Sequence, residues 1–374
     1  MKKLGLAVLS ILVLGAASAS AQETDFVPDE APTIDTKKVG WSPLLKVSAN
    51  MAFTDNRKVV GQEEGSTWNI GGLLLGELNY VNKGGHAWEN GLKWQLGFLR
   101  TPSLEEFYKS TDLLDFDSTY LWRPKNLDWL GPFATFRLQT SVFPGYIVRA
   151  TGTNVYTLDA DGNLTETAGV AQGESVEAQK KVDVTSAFSP SILRESLGAF
   201  ADITKQKKIE VQARIGVGAW EIFGRDGYAA LGDDDVKAKL EGKLDVDDNG
   251  TAIPVDPARD IVLTPIQDSI QAGGEVQLTA KGVIWKDQVN YKALFEIMQP
   301  FYNNADTTLS GVDLMNIGGE LNVGFKLKDW DMVGASLDYS LKVNKYPLII
   351  DEWQVTNALL LTITASVIEE DKKK

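Results

Sequence analysis

The residues able to do chemistry are few. The 374-residue chain has one His, His86, and no Cys. One imidazole and no thiolate leave zinc and redox-metal sites without their usual ligands. His86 stands in a Gly-Gly turn, "NKGGHAW". There it reads as an exposed turn residue, not as the base of a Ser–His hydrolase, and no catalytic residue and no cofactor is expected. Oxygen ligands are the sharper candidates. Asp159, Asp161 and Asn163 in "LDADGNLTE", and Asp245, Asp247 and Asn249 in "LDVDDNGTA", have the one-apart spacing of a calcium loop. Gly162 comes too early for an EF-hand, no bidentate Glu follows in phase, and Asp-Gly and Asn-Gly are common hairpin turns. Turns are therefore the first reading and weak calcium binding the second. Asp233–Asp235 reads as a solvated loop surface. Asp115 and Asp117 should share one strand face, as an acid pair or, by preference, as one pole of a salt-bridge network.

The elements that position these residues show a two-residue period. In "ELNVGFKLKDWDMVGASLDYSLKV", Glu320 to Val343, Leu321, Val323, Phe325 and Leu327 share one face, and Glu320, Asn322, Gly324 and Lys326 the other. The next run repeats the pattern, so the stretch reads as a β-hairpin. About twelve such segments are expected, near 44–54, 67–82, 86–100, 109–122, 131–146, 187–204, 207–223, 267–282, 287–302, 313–328, 331–345 and 352–368. Several run to about 15 residues, where a soluble strand has roughly five or six.

Alternation alone does not say which face is inside, but four features choose. Lys2-Lys3, the apolar "LGLAVLSILVLGAA" and Ala19-Ser20-Ala21 form an export signal, residues 1–21, cleaved after Ala21. Its loss removes two positive charges from a formal −14, and such acidity excludes nucleic acid as a partner. Strand length suits a membrane crossing. Connections alternate between short and generally longer, with insertions at about 147–186 and 224–266, as in outer-membrane barrels with short periplasmic turns and long external loops. Trp41, Trp88, Trp122, Trp129, Trp285 and Trp330 all fall beside the short turns, as an interfacial girdle would. The expected fold is all-β: a closed antiparallel up-and-down transmembrane barrel over residues 41–369. An acidic flexible leader, 22–40, precedes it and a charged tail, 370–374, follows. A lipid-facing charge costs about 2–4 kcal/mol, so the polar face must line the lumen. That face carries Glu77, Lys93, Asp115, Asp117, Arg137, Arg214, Glu275, Lys281, Lys292, Glu296, Glu320, Lys326, Asp338 and Lys342.

One segment goes beyond pattern. "WLGPFATFRLQTSVFPGY", Trp129 to Tyr146, resembles a signature of the bacterial outer-membrane barrel family catalogued as domain of unknown function 3078. Phe136, Gln139, Phe143, Pro144, Gly145 and Tyr146 look like the counterparts of its "F-x-x-Q-F-x-P-G-Y" phrase. "SAFSPSILRESLGAF" and "NIGGLLLGELNYVNKGGHAWENGLKWQLGFL" are similar to the family's next strand and early hairpin. The resemblance implies an outer-membrane barrel and no particular activity. Such barrels usually end in an aromatic residue read by the assembly machinery, whereas this chain ends "TASVIEEDKKK".

Lumen charges in near balance should pair, because an isolated buried charge is costly. Leu73, Leu75, Leu121, Trp220, Leu294 and Met298 fall on the same inward face and narrow it. The expectation is a narrow channel or substrate-specific transport pore in the outer membrane. The rival is a closed barrel that displays its acidic external loops as a structural or binding surface. Expected partners are outer-membrane lipid and the barrel-assembly machinery, with divalent cations at the external loops bridging to lipopolysaccharide.

Overall fold

A computed structural model describes residues 39–57, 65–159, 161–167, 170–206, 208–244, 253–285, 288–305, 309–330, 333–346 and 350–368. The signal, nearly all of the leader and the charged tail lie outside these. So do Asp245, Asp247 and Asn249.

Twelve long antiparallel strands form one sheet: β1 Gly40–Asn56, β2 Gly65–Val81, β3 His86–Arg100, β4 Tyr108–Trp122, β5 Leu130–Thr140, β6 Ser191–Gln206, β7 Ile209–Phe223, β8 Ser269–Ile284, β9 Val289–Asn303, β10 Asn316–Trp330, β11 Val333–Tyr346 and β12 Ile350–Ile368. Each pairs with the next, and β12 returns to pair with β1 from Leu45 to Asn50, closing a barrel. This seam joins six residues of β1 to residues between Thr362 and Ile368 of β12.

The barrel is inside out relative to a soluble protein. Ile203, Ile215, Leu197, Val217, Val276 and Leu278 on three adjacent strands are exposed, with Ile215 at 63%. In the Glu320–Val343 hairpin Leu321, Leu337 and Tyr339 are exposed while Asn322, Asp338 and Ser340 are buried. Alternation supplies both faces at once, because successive side chains point to opposite sides of the sheet.

Two sequence readings need correction. The fifth strand does not run on to residue 146 but ends at Thr140. Asp112 draws the chain away from the wall. Its carboxylate, with a side chain 2% exposed, accepts from the Phe143 amide at 2.6 Å and from Lys109 Nζ at 3.0 Å. Lys109 Nζ donates in turn to the carbonyls of Phe143 and Pro144, and the Lys109 amide donates to the Tyr146 hydroxyl at 2.8 Å. Gly145–Val148 then pairs with Lys181–Thr185 outside the barrel. The phrase "FPGY" is thus a clasp at the long-loop rim. Replacing Asp112 by Ala should leave the Phe143 amide without its acceptor and Lys109 without its counter-charge, at about 1–3 kcal/mol. A denaturant titration in micelles checks this, and an unchanged midpoint would count against the clasp.

The second correction concerns the insertions. They are not two separate acidic loops but one folded module. Thr153–Thr157, from the first insertion, pairs in parallel with Asp260–Pro265 from the second, and Gly173–Val176 and Tyr228–Ala230 complete a four-stranded sheet. The module has its own apolar core of Tyr156, Leu158, Ala171, Val236, Leu240 and Val262. Burial, with Asp260 nearby, pushes the Tyr156 phenol above its ordinary pKa. Asp233–Asp235 are not loop residues either. They form the first turn of helix α1, Asp233–Leu240, where acidic side chains complement the helix dipole.

Candidate functional site

Inside the barrel lies a cavity of about 860 Å³, within the range of small-molecule sites. Charged side chains from β2 to β10 line it. Of the lumen residues read from sequence, Glu77, Lys93, Asp115, Asp117, Arg137, Arg214, Glu275, Lys281, Lys292, Glu296 and Glu320 all reach it. Lys326, Asp338 and Lys342 do not. Lys326 is exposed near the short-turn end of β10, beside a register shift, and Asp338 is buried against the Ser336 hydroxyl at 2.6 Å. Strand parity predicts the side of the wall but not the depth along it.

Opposite charges pair across neighbouring strands. Arg137 forks onto Asp115, its Nε donating at 2.9 Å and its Nη2 to the second oxygen. Arg194 donates to Glu296 at 3.1 Å while its guanidinium stacks 3.8 Å from the Trp220 ring. Lys281 stands 3.6 Å from Glu210. These pairs lie within a wall whose outer face is apolar, where a charge left without a partner would be expensive.

Inward glycines make room for the acids. A Cβ on Gly91 would collide with the Asp117 carboxylate, one on Gly218 with Glu275 and one on Gly318 with Glu296. Each carboxylate therefore lies flat over a neighbouring glycine instead of projecting across the lumen. Glycine in a strand interior often marks such a close approach.

A second cluster packs toward the short-turn end. Ala87, Leu121, Phe133 and Phe200 are buried together, with Val81 beside them. Arg123 lies over the Phe200 ring at 4.9 Å and Arg214 over Phe133 at 5.5 Å. Arg123 Nε, Lys205 Nζ and Gln212 Nε2 all donate to the Asp202 carboxylate, at 3.0, 2.8 and 2.7 Å. Sequence reading passed over Asp202, although it shares parity with Arg194 on β6. It also passed over Arg123, which lies beyond the end of β4 and carries no period. Toward the long-loop end, neutral side chains fill the lumen, among them Gln271, Met298 and Asn316, whose amide donates to Gln271 at 2.8 Å.

The aromatic rim is present where described. Trp41, Trp88, Trp122, Trp129 and Trp285 are exposed at the short-turn end, and the Trp330 side chain lies outside the described residues. His86 joins this rim. It stacks on Trp122 with ring centroids 5.7 Å apart and shares a hydrogen bond with the Tyr120 hydroxyl at 2.6 Å. Asp159, Asp161 and Asn163 form a hairpin turn. One Asp159 carboxylate oxygen accepts from the amides of Asp161 and Asn163, and Gly162 takes φ +73°. Among the described residues no group of three or more acids or His is arranged to hold a metal ion.

No curated protein matches the sequence. Solved barrels resemble it distantly. An outer membrane channel from Pseudomonas putida F1 is 11% identical, with 91% of this chain and 100% of that one covered and a TM-score of 0.38. The beta domain of the Bordetella autotransporter BrkA is 9% identical, with 87% and 99% covered and a TM-score of 0.35. The translocator domain of the autotransporter NalP from Neisseria meningitidis is 8% identical, with 88% and 90% covered and a TM-score of 0.33. Residues 61–146, which run from before β2 to the end of the "FPGY" clasp, match the model of the family described as Protein of unknown function (DUF3078), the family that the Trp129–Tyr146 segment resembles.

Proposed function

We propose that the chain is an outer-membrane barrel that passes small polar solutes through a narrow lumen. The observation that carries this reading is the charged cavity of about 860 Å³ inside the barrel. A barrel serving only as a scaffold has no need of such a space, since side chains can fill a small barrel. The exposed apolar belt and tryptophan rim support placement in a bilayer. The export signal and the family resemblance support the outer membrane. On this reading lipid covers the belt, the barrel-assembly machinery inserts the chain, and the short turns face the periplasm. Paired charges and the neutral filling toward the long-loop end make the passage narrow and selective, unlike a wide aqueous porin.

A second reading, a closed barrel that displays the module as a binding surface, is favoured by the module's own apolar core. Planar-bilayer conductance separates the two. The full chain should give small discrete steps, larger once residues 147–186 and 224–266 are removed together. Both segments must go, because each supplies strands to the one sheet. Silence from the full chain and from this variant, each with its folded barrel verified, would end the channel reading.

A further inference from the structure

We propose, building on the lumen reading above, that the seam between β1 and β12 is open sideways in its long-loop half and admits a single-chain amphipath with an uncharged polar head from the outer leaflet into the lumen. The seam ladder stops at Asn50, opposite Thr362. Both strands run on past it. β1 continues to Asn56 and β12 begins at Ile350, and each keeps the ladder to its other neighbour, β2 or β11. Among the described residues, none of 51–56 pairs with any of 350–361. At every other junction of the barrel at least one strand ends within one residue of where its ladder ends on the long-loop side. Here neither does, so the wall is parted between two strands that are themselves intact.

Level and composition decide what can pass. A strand edge facing lipid tails leaves backbone groups unsatisfied, which the hydrocarbon does not tolerate. A tilted strand crosses the hydrocarbon in about 9–11 residues, so a crossing that starts after the exposed Trp41 ends between about residues 50 and 52. The gap therefore begins where the outer headgroups begin. Phe53, exposed beside it, packs on Trp68 with ring centroids 4.4 Å apart, an aromatic pair at the level interfacial rings favour. A gap at this level can take a polar head from the side while the chain behind it stays in lipid. Were the register continued, residues 51–56 would face residues 356–361. Of these, Asp55 alone is charged, and Leu359, Leu360 and Leu361 stand in a row. The nearest buried side chains of β1 below the gap, Ser48 and Asn50, are polar and uncharged. An ionic head would pass these flanks with almost no counter-charge, which is unfavourable. An uncharged head that forms hydrogen bonds escapes that penalty.

The absence of Cys makes the gap testable by cross-linking the full chain refolded into lipid vesicles. Ser48→Cys with Thr364→Cys joins two residues paired across the seam. Ala52→Cys with Leu360→Cys lies four residues further up in the same register. A disulfide needs Cα atoms within about 7 Å. The lower pair should oxidise readily. The upper pair should oxidise far more slowly, yet be joined by a longer bismaleimide. Equal disulfide formation in both pairs overturns the gap, and so does failure of both, which would mean that the seam itself is not formed. The occupant is read from quenching of a bimane attached through Asn50→Cys, below the gap, or through Asn322→Cys, buried on β10. Three nitroxides serve as probes: 4-lauroyloxy-TEMPO, a quaternary ammonium nitroxide with the same chain, and TEMPOL, which has no chain. The ratio of quenching at the first site to that at the second should be several-fold higher for the lauroyl ester than for either of the others. The same ratio for all three, or a higher one for the ammonium probe, overturns the occupant. Bilayer conductance of the unsubstituted chain keeps the two readings apart. Conductance with the upper pair oxidising like the lower removes the gap and spares the passage. A parted upper seam without conductance does the reverse.

Discussion

Replacing Ile215 by Arg should cost the folded barrel about 2–4 kcal/mol, the depth-dependent penalty for a cation facing lipid near mid-bilayer. Ile215 is 63% exposed in the middle of β7, with Ala199 and Val276 beside it on the neighbouring strands. In water such an exposed apolar side chain would gain from becoming charged, so the sign of the effect reports the solvent. The control is Thr279→Arg on β8, which points into the charged cavity and should cost far less. Urea titrations of both variants refolded into lipid vesicles measure the contrast. Ile215→Arg no less stable than wild type, with Thr279→Arg the damaging change, would mean that the apolar face is not in a bilayer.

That prediction rests on the part of the fold the sequence states most openly. A period of two, sustained for about 15 residues, assigns every side chain to one wall or the other, and a one-residue slip would place charges in the apolar belt. The register of the Glu320–Val343 hairpin is fixed this way, with Leu321 opposite Leu341 and Glu320 opposite Lys342. Depth in the lumen was less legible. Lys326 has the right parity but not the right height, because height depends on strand tilt and stagger, which the pattern of one strand does not encode.

The module was not legible, for a different reason. Its strands are two to six residues long, too short for a period to emerge, and its central pairing joins Asn154 to Asp260 across a large sequence separation. Helix α1 is only eight residues, and its acidic first turn imitates a solvated loop. The carboxylate slots lie between these extremes. Gly91 stands opposite Asp117 in register, so a search for inward glycines across from inward acids would have found that one. Read alone, a strand glycine signals only weakness. The "FPGY" phrase was recognised as a resemblance, but its physical role needed Asp112, which sits on another strand about thirty residues earlier and shows no local sign of its task.

The largest single loss should come from the short-turn end of the lumen. Phe200 has no exposed surface and packs with Leu121, Phe133 and Ala87. Its ring also covers Gly131, its partner across β5 and β6, where a Cβ would strike the Trp122 carbonyl and press tightly on the ring. Phe200→Ala removes that ring from a site whose backbone is held by ladders on both sides, so little collapse can fill the void, and the cost should reach about 3–5 kcal/mol. The consequence for passage follows from position. Arg123 rests on this ring and also lines the cavity, so the apolar cluster separates the charged space from the short-turn side. Taking away the ring should raise single-channel conductance while lowering the urea midpoint. Phe200→Leu, which keeps most of the volume, should move both readouts much less. A midpoint shift for Phe200→Ala worth less than about 1 kcal/mol would show that the ring is not packed as described. Full destabilisation with conductance unchanged would instead place the constriction elsewhere along the lumen, with the neutral side chains around Gln271 and Met298 next in line.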